Sequence, residues 1–257
     1  MNKVAIVTGA SRGLGLAMAK GLAEAGYAVV MTAAGDAEAL TAASRSINAE
    51  TASSRTSPIL ADASSADACE AVARHALDRF GGLDVLINNA GRGMRYVSNE
   101  FLTNPTRFWE VEPDIWRMVI DTNVNGPFLM ARAVVPHLLS KGWGRVVNIS
   151  MNRETMRRQG FSPYGPSKAA LESETAIWAQ DLVGSGITVN ALLPGGATLT
   201  GMIPAETPDA VKRTLLDPQI MVPPLLWLLS AQADGVTGKR IVASHWQPGA
   251  TAFEDAG

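Results

Sequence analysis

Tyr164 and Lys168 stand four residues apart in Tyr164-Gly165-Pro166-Ser167-Lys168, at the start of a helical stretch. That spacing stacks two side chains on one helix face, within reach of each other. A free tyrosine has a pKa near 10 and moves protons poorly at neutral pH. A fixed ammonium and the positive end of a helix both favour phenolate, so the expectation is a lowered pKa and a phenol able to act as general acid or base. A tyrosine and a lysine on a solvated helix face have the same spacing, and for the pair alone that is the commoner case. A second group with chemistry in it is Thr8-Gly9-Ala10-Ser11-Arg12-Gly13-Leu14-Gly15, between an apolar strand candidate and a helix candidate. Glycines let a backbone approach a pyrophosphate, and a helix N-terminus offers free N–H groups and partial positive charge. The alternative for this loop is a tight turn with close helix packing.

The elements that must position these groups follow from periodicity. Strands are expected at Val4–Val7, Ala28–Thr32, Ser57–Leu60, Val85–Ile87, Arg145–Ile149, Ile187–Leu192 and Arg240–Ala243. Most are apolar throughout, as strands covered on both faces are. Leu14, Ala17, Met18, Gly21, Leu22 and Ala25 form one helical stripe, with Lys20 and Glu24 opposite and Gly26 as a stop. Further helices are expected at about 36–49, 66–80, 113–139, 163–184 and 218–231. Alternating strands and helices predict an α/β fold, a doubly wound parallel sheet of about seven strands with helices on both faces, in a single domain over 1–257. Ligands on such a sheet bind at the carboxyl ends of the strands.

Composition removes several function classes. The 257 residues suit one α/β domain, and 22 Lys plus Arg against 24 Asp plus Glu leave a net charge of −2. That balance carries no electrostatic footprint for nucleic acid. Cys69 is the only cysteine, which excludes an internal disulfide and a thiolate-rich zinc site; no metal site is expected. The longest apolar run, Met221–Leu229, has nine residues including two prolines, too short to cross a bilayer. Met1-Asn2-Lys3 leads at once into a core strand, so the expectation is a cytoplasmic protein without membrane contact.

More motifs lie on the expected loops: Asn88-Asn89-Ala90-Gly91 after the fourth strand, Asn123 in Asp121-Thr122-Asn123-Val124, and Pro194-Gly195 after the sixth. With the Gly-x3-Gly-x-Gly loop and Tyr-x-x-x-Lys, these motifs resemble, in order and placement, the short-chain dehydrogenase/reductase (SDR) family in its single-domain branch of about 250 residues, from Lys3 to about Ala243. The resemblance implies a Rossmann-type sheet and a nicotinamide-dependent oxidoreductase. A hydride would pass between nicotinamide C4 and a carbonyl or secondary alcohol, with Tyr164 as general acid/base and Lys168 lowering its pKa and binding the ribose. Asn123 would hold a water of the proton relay; from the residue alone it reads as a core polar group bonded to backbone. The implied cofactor-binding residues are Gly9, Ser11, Arg12, Gly13, Leu14, Gly15, Asp62, Ala63, Asn89, Ala90, Gly91, Tyr164, Lys168, Pro194, Gly195 and Thr198. Asp62 would bond the adenine amino group, and Thr198 or Thr200 would face the carboxamide. A homo-oligomer, tetramer or dimer, is also implied.

Two positions depart from the family pattern. The serine usual 13 residues before the tyrosine is Met151 here, flanked by Ser150 and Asn152. A thioether donates no hydrogen bond; Ser150 serves as the catalytic donor, or Asn152 does, or the oxyanion is weakly held. The alternative function is accordingly a catalytically impaired cofactor-binding sensor or partner protein. The second strand ends on Ala33-Ala34 where an NAD enzyme carries an acid, and Asp36 reads as a helix cap. With Arg12 in the glycine loop, this favours NADP(H) over NAD(H). Substrate loops are expected at about 92–112, 151–162 and 195–217. Arg92, Arg95, Arg107, Arg153, Arg157 and Arg158 in the first two suggest an anionic or polyhydroxylated carbonyl or alcohol substrate, unless they form a solvated or subunit-facing surface.

Overall fold

The computed structural model describes residues 3–203, 207, 209–249 and 253–256; residues 204–206 and 208 of the expected 195–217 loop, and the outermost ends of the 1–257 domain, lie outside them. In chain order the elements are β1 (Val4–Val7), α1 (Gly13–Glu24), β2 (Ala28–Ala33), α2 (Ala37–Glu50), β3 (Thr56–Leu60), α3 (Ala66–Phe80) and β4 (Val85–Asn88). There follow α4 (Pro113–Ile120), α5 (Gly126–Lys141), β5 (Gly144–Ile149), α6 (Arg153–Met156), α7 (Tyr164–Asp181) and β6 (Ile187–Leu193). The last are α8 (Asp209–Lys212), α9 (Val222–Leu228), β7 (Lys239–Val242) and β8 (Glu254–Asp255).

The sheet order is β3-β2-β1-β4-β5-β6-β7-β8. Every neighbouring pair is parallel except β7 with β8. The chain winds outward from β1 through β2 to β3, then returns to β4 on the other side, so the crevice at the carboxyl ends of β1 and β4 is where such a sheet takes a ligand. The strands serve two cores, one on each face. In β1, Ala5 and Val7 join Met18, Leu22 and Leu225 on one side, while Val4 and Ile6 join Val72, Val134 and Leu182 on the other. That two-sided burial is why these strands read as unbroken apolar runs. Truncating a core member such as Leu22 to alanine costs about 2–5 kcal/mol.

The expected strands are found within one residue at each end, and β8 is an eighth, antiparallel addition too short and too charged to signal itself. The helix expected at 113–139 is instead two helices joined by a π-turn, Asp121–Asn125. The stretch expected as one helix at 218–231 is a 3-10 turn, Pro218–Met221, followed by α9. Asp36 caps α2 by accepting from Ala39 N at 2.9 Å. Among the described residues no helix is long and apolar enough to cross a membrane, and no cluster of His, Cys, Asp and Glu could hold a metal ion.

Candidate active site

The loop after β1 and the loop after β4 are stitched together. Thr8 Oγ1 accepts from Asn89 N at 3.0 Å and Ala90 N at 2.9 Å, and Asn89 Nδ2 donates to Thr8 O at 2.8 Å. Gly9 (φ +65°) and Gly13 (φ +57°) take left-handed backbone that other residues rarely adopt. A Cβ on Gly15 would sit 2.3 Å from Gly9 O, and one on Gly9 would sit 2.9 Å from Ala90 Cα. Only glycine fits this cradle. Ser11, Arg12 and Leu14 complete it; Arg12 is the N-cap of α1 but forms no side-chain cap, and the first turn holds no acid. The donor set is what a dinucleotide pyrophosphate needs: close-lying backbone, open N–H groups and no competing carboxylate.

The remaining residues implied for the cofactor lie along the same crevice. Asp62 Oδ1 accepts from Ser64 N at 3.0 Å and Ser64 Oγ at 2.8 Å, which fixes the loop after β3 beside buried Ala63. A Cβ on Gly91 would approach Lys168 Nζ to 3.7 Å and Asn123 Oδ1 to 3.3 Å, so Gly91, Asn123 and Lys168 share one corner. After β6, Ser244 N donates to Pro194 O at 3.1 Å and Gly195 (φ +93°) leaves no room for a Cβ against Ser244 Oγ. Thr198 Oγ1 donates to Gly196 O at 3.2 Å. The segment beyond it lies across the crevice: a Cβ on Gly13 would touch Thr200 Cβ at 3.2 Å, and Arg95 Nη1 donates to Gly201 O at 2.8 Å.

The catalytic corner differs from expectation in three ways. Tyr164 is half-buried, and the protein packed around it pushes the phenol up to about 12 rather than down. The lowered pKa expected from Lys168 is absent because the ammonium turns inward and donates to Ile149 O at 2.8 Å. Burial lowers Lys168 to about 8, partly opposed by Glu172. Secondly, Asn123 spends its side chain inside the protein. Its Nδ2 donates to Arg92 O at 3.0 Å and Ser167 Oγ at 2.9 Å, and Oδ1 accepts from Arg92 N at 2.8 Å. That is the geometry of a polar side chain bonded to backbone and to Ser167.

Thirdly, Ser150 is turned away from the substrate side. Its Oγ donates to Glu172 Oε1 at 2.5 Å, and Asn152 Nδ2 is committed to Gly195 O at 2.9 Å. Met151 faces the site instead, in a cluster with Met94, Phe101, Met156 and Phe161 against which Tyr164 packs. The expectation that Ser150 serves as donor is corrected by this geometry, since its one proton is already given away. Glu172 and Arg240 went unnoticed in the sequence. Arg240 Nε donates to Glu172 Oε1 at 3.0 Å, and Arg240 Nη2 donates to Met151 O at 2.7 Å. Glu172 could have been found, because it continues the Tyr164–Lys168 face by one more turn. Arg240 sits on a distant strand with no local signal.

A family model described as short chain dehydrogenase matches residues 3–210. An acetoacetyl-CoA reductase of Shinella zoogloeoides is 34% identical over 256 residues, covering 96% of this chain and 99% of that protein. A solved actinorhodin polyketide ketoreductase with NADPH superposes with a TM-score of 0.81 at 27% identity, over 94% of this chain and 95% of that one. A solved 3-ketoacyl-(acyl-carrier-protein) reductase from Brucella melitensis, complexed with NADH, gives 0.80 at 28% identity, over 93% and 96%.

Proposed function

This chain belongs to the short-chain dehydrogenase family, and from that premise we propose that it is an NAD(P)-dependent oxidoreductase acting on a carbonyl/secondary-alcohol pair. The observation that carries the reading is the meeting of Tyr164, buried Lys168 and Gly91 in one corner beside the glycine cradle, with an apolar wall around the phenol. When bound, the nicotinamide supplies or accepts the hydride. The chain's own residues place the substrate oxygen and handle one proton. Gly9, Gly13 and Gly15 hold the pyrophosphate against α1, Lys168 reaches the ribose, and the segment from Thr198 closes the crevice.

With its phenol held protonated, Tyr164 Oη is poised to donate to a carbonyl oxygen as charge develops there, which suits reduction. Met151 offers that oxygen no hydrogen bond, so its stabilisation rests on Tyr164. Relatives named for acetoacetyl-CoA and 3-ketoacyl carrier substrates, together with the wall of Met94, Phe101, Met151 and Phe161, favour a β-keto acyl compound. NADP(H) is favoured over NAD(H), because β2 ends without an acid, Asp36 is occupied as a cap, and exposed Arg12 borders the crevice. The protein would work in the cytoplasm as a homo-oligomer, joining copies through Trp116, Phe128, Leu139 and Ile177, large apolar side chains exposed on α4, α5 and α7.

The test is oxidation of NADPH and NADH over a panel of β-keto esters, β-keto thioesters, simple ketones and sugar acids, with Tyr164→Phe as control. Turnover that falls at least about a thousandfold in the control, with cofactor affinity kept within a few-fold, supports the reading. Met151 and the committed Ser150 and Asn152 favour one other reading, a cofactor-binding sensor. Tight NADPH binding with no turnover on any substrate, equal in wild type and Tyr164→Phe, would establish that instead.

A further inference from the structure

The arginines of the two substrate loops fall into two sets. Arg92 is stacked 4.9 Å over Tyr96 and donates to Thr122 Oγ1 at 3.1 Å. Arg95 is held by Gly201 O, and Arg153 donates to Asp255 O at 2.9 Å and pairs with Glu254 at 3.7 Å. These three have structural work. Arg107, Arg157 and Arg158 do not: among the described residues none of their guanidinium groups meets a carboxylate, and all three are exposed. Arg158 stacks 5.5 Å over Phe161. All three border one cavity of about 410 Å³, between residues 107–109 and the turn 156–162.

The rest of that cavity has a consistent chemistry. Among the described residues no carboxylate lines it; Glu110, the nearest acid in sequence to Arg107, accepts from Arg107 N at 2.9 Å and does not line the cavity. Phe108 and Trp109 stand at its rim edge to face, ring centres 5.0 Å apart, each 68% exposed. Two large aromatic rings left open beside three uncompensated guanidinium groups present a flat face and a concave positive wall. Guanidinium groups bind phosphate oxygens in pairs, and indole and phenyl faces stack on planar rings. The cavity borders the catalytic corner through two shared side chains: Met156 and Phe161 line it and belong to the cluster against which Tyr164 packs.

We infer that this cavity is a handle-recognition subsite, in which Arg107, Arg157 and Arg158 hold the phosphates of a small-molecule substrate and Trp109 stacks on its planar ring. The ligand class is a phosphorylated, ring-bearing carrier whose reactive carbonyl extends past Met156 and Phe161 to Tyr164. The inference rests on the reductase reading above for what the handle delivers, but not for whether it binds. The subsite holds and orients the substrate, and no bond is made or broken there.

The probe is adenosine 3′,5′-bisphosphate, titrated calorimetrically into the protein saturated with NADPH so that the cofactor crevice is already filled. Binding is expected in wild type, weakened at least tenfold in Arg157→Ala/Arg158→Ala and severalfold in Trp109→Ala. In turnover, the double variant should raise KM at least tenfold for a β-keto acyl thioester of coenzyme A at little-changed kcat. The same acyl group on uncharged N-acetylcysteamine should be unaffected, which also shows the variant is folded and active. Equal probe affinity in wild type and double variant, or an equal KM rise for both thioesters, would overturn the subsite. Arginine-dependent probe binding without turnover on any substrate would keep the subsite and sink the reductase reading.

Discussion

Ser150 Oγ gives its proton to Glu172 Oε1, which in the same place accepts Arg240 Nε. The hydroxyl closest in sequence to the missing donor position is thus part of a buried tie between β5, α7 and β7. Arg240 completes the tie by donating to Met151 O, so the backbone that carries Met151 toward Tyr164 is anchored from behind by an ion pair. A serine one residue out of register cannot do both tasks.

Met151→Ser tests what the thioether withholds. A hydroxyl at 151 would face the apolar cluster and the phenol, and should raise kcat by about tenfold or more, since one oxyanion donor is worth about 10²–10³. Ser150→Ala should leave kcat within about threefold while lowering the melting temperature, as a single hydrogen bond contributes about 1 kcal/mol. Steady-state kinetics on both variants decides the matter: a collapse of kcat in Ser150→Ala would restore Ser150 as the catalytic donor.

Glu172→Gln removes the principal counter-charge of an arginine that is 5% exposed. Breaking a buried pair from one side costs about 3–5 kcal/mol, and Glu254 Oε2 at 3.3 Å from Arg240 Nη1 should hold the loss to the lower end. Each kcal/mol corresponds to about 2–4 °C in a chain of this size. A melting temperature unchanged from wild type would mean the pair does not bear on stability.

Arg12→Ser should separate the two nicotinamide cofactors. Arg12 is exposed at the mouth of the crevice and makes no cap for α1, so its removal costs the fold little. KM for NADPH should rise about tenfold with KM for NADH within twofold, one charge-assisted contact being worth about 1.5–3 kcal/mol. Equal changes for both cofactors would show that Arg12 does not read the 2′-phosphate.

Glu174 gives a pH signature in stability. Burial pushes its carboxyl from 4.5 up to about 7, and among the described residues its Oε2 has no hydrogen-bond partner. Between those two values the folded chain holds a proton that the unfolded chain has lost, so stability falls as pH rises through that window and stays lower above it. Glu174→Gln should therefore raise the melting temperature at pH 8 by about 2–4 °C and have no such effect at pH 4.5. The gain is set at about 1 kcal/mol because the side chain is only partly buried. Thermal melts of both proteins across that range test it, and a gain equal at both ends would assign the effect to packing alone.

Strands buried on both faces announce themselves as unbroken apolar runs, and glycines forced by a 2.3 Å approach announce themselves by type, so the sheet and the cradle were legible from residues such as Val4–Val7 and Gly15. The direction in which Lys168 points was not. The four-residue spacing puts Lys168 beside Tyr164, but whether its ammonium faces the phenol or Ile149 O depends on carbonyls supplied by another strand. Ser150 was hidden for the same reason, because its partner Glu172 lies 22 positions on, and Arg240, which pairs with Glu172, a further 68. Local pattern gives which face a residue lies on; it does not give what waits opposite.

The π-turn at Asp121–Asn125 sets the angular phase of everything beyond it. An α-helix turns about 100° per residue, and a π-turn amounts to one residue inserted into an otherwise regular helix. Deleting a single residue there would let α4 and α5 fuse into a continuous rod, but would rotate either Asn123 off the Ser167 hydroxyl or Met130, Val134 and Leu138 off the core. The segment is therefore intolerant of length change in a way its exposed ends, Asp121 and Asn125, do not suggest. Gene libraries built by recombining this chain with relatives should keep crossovers and gaps clear of it.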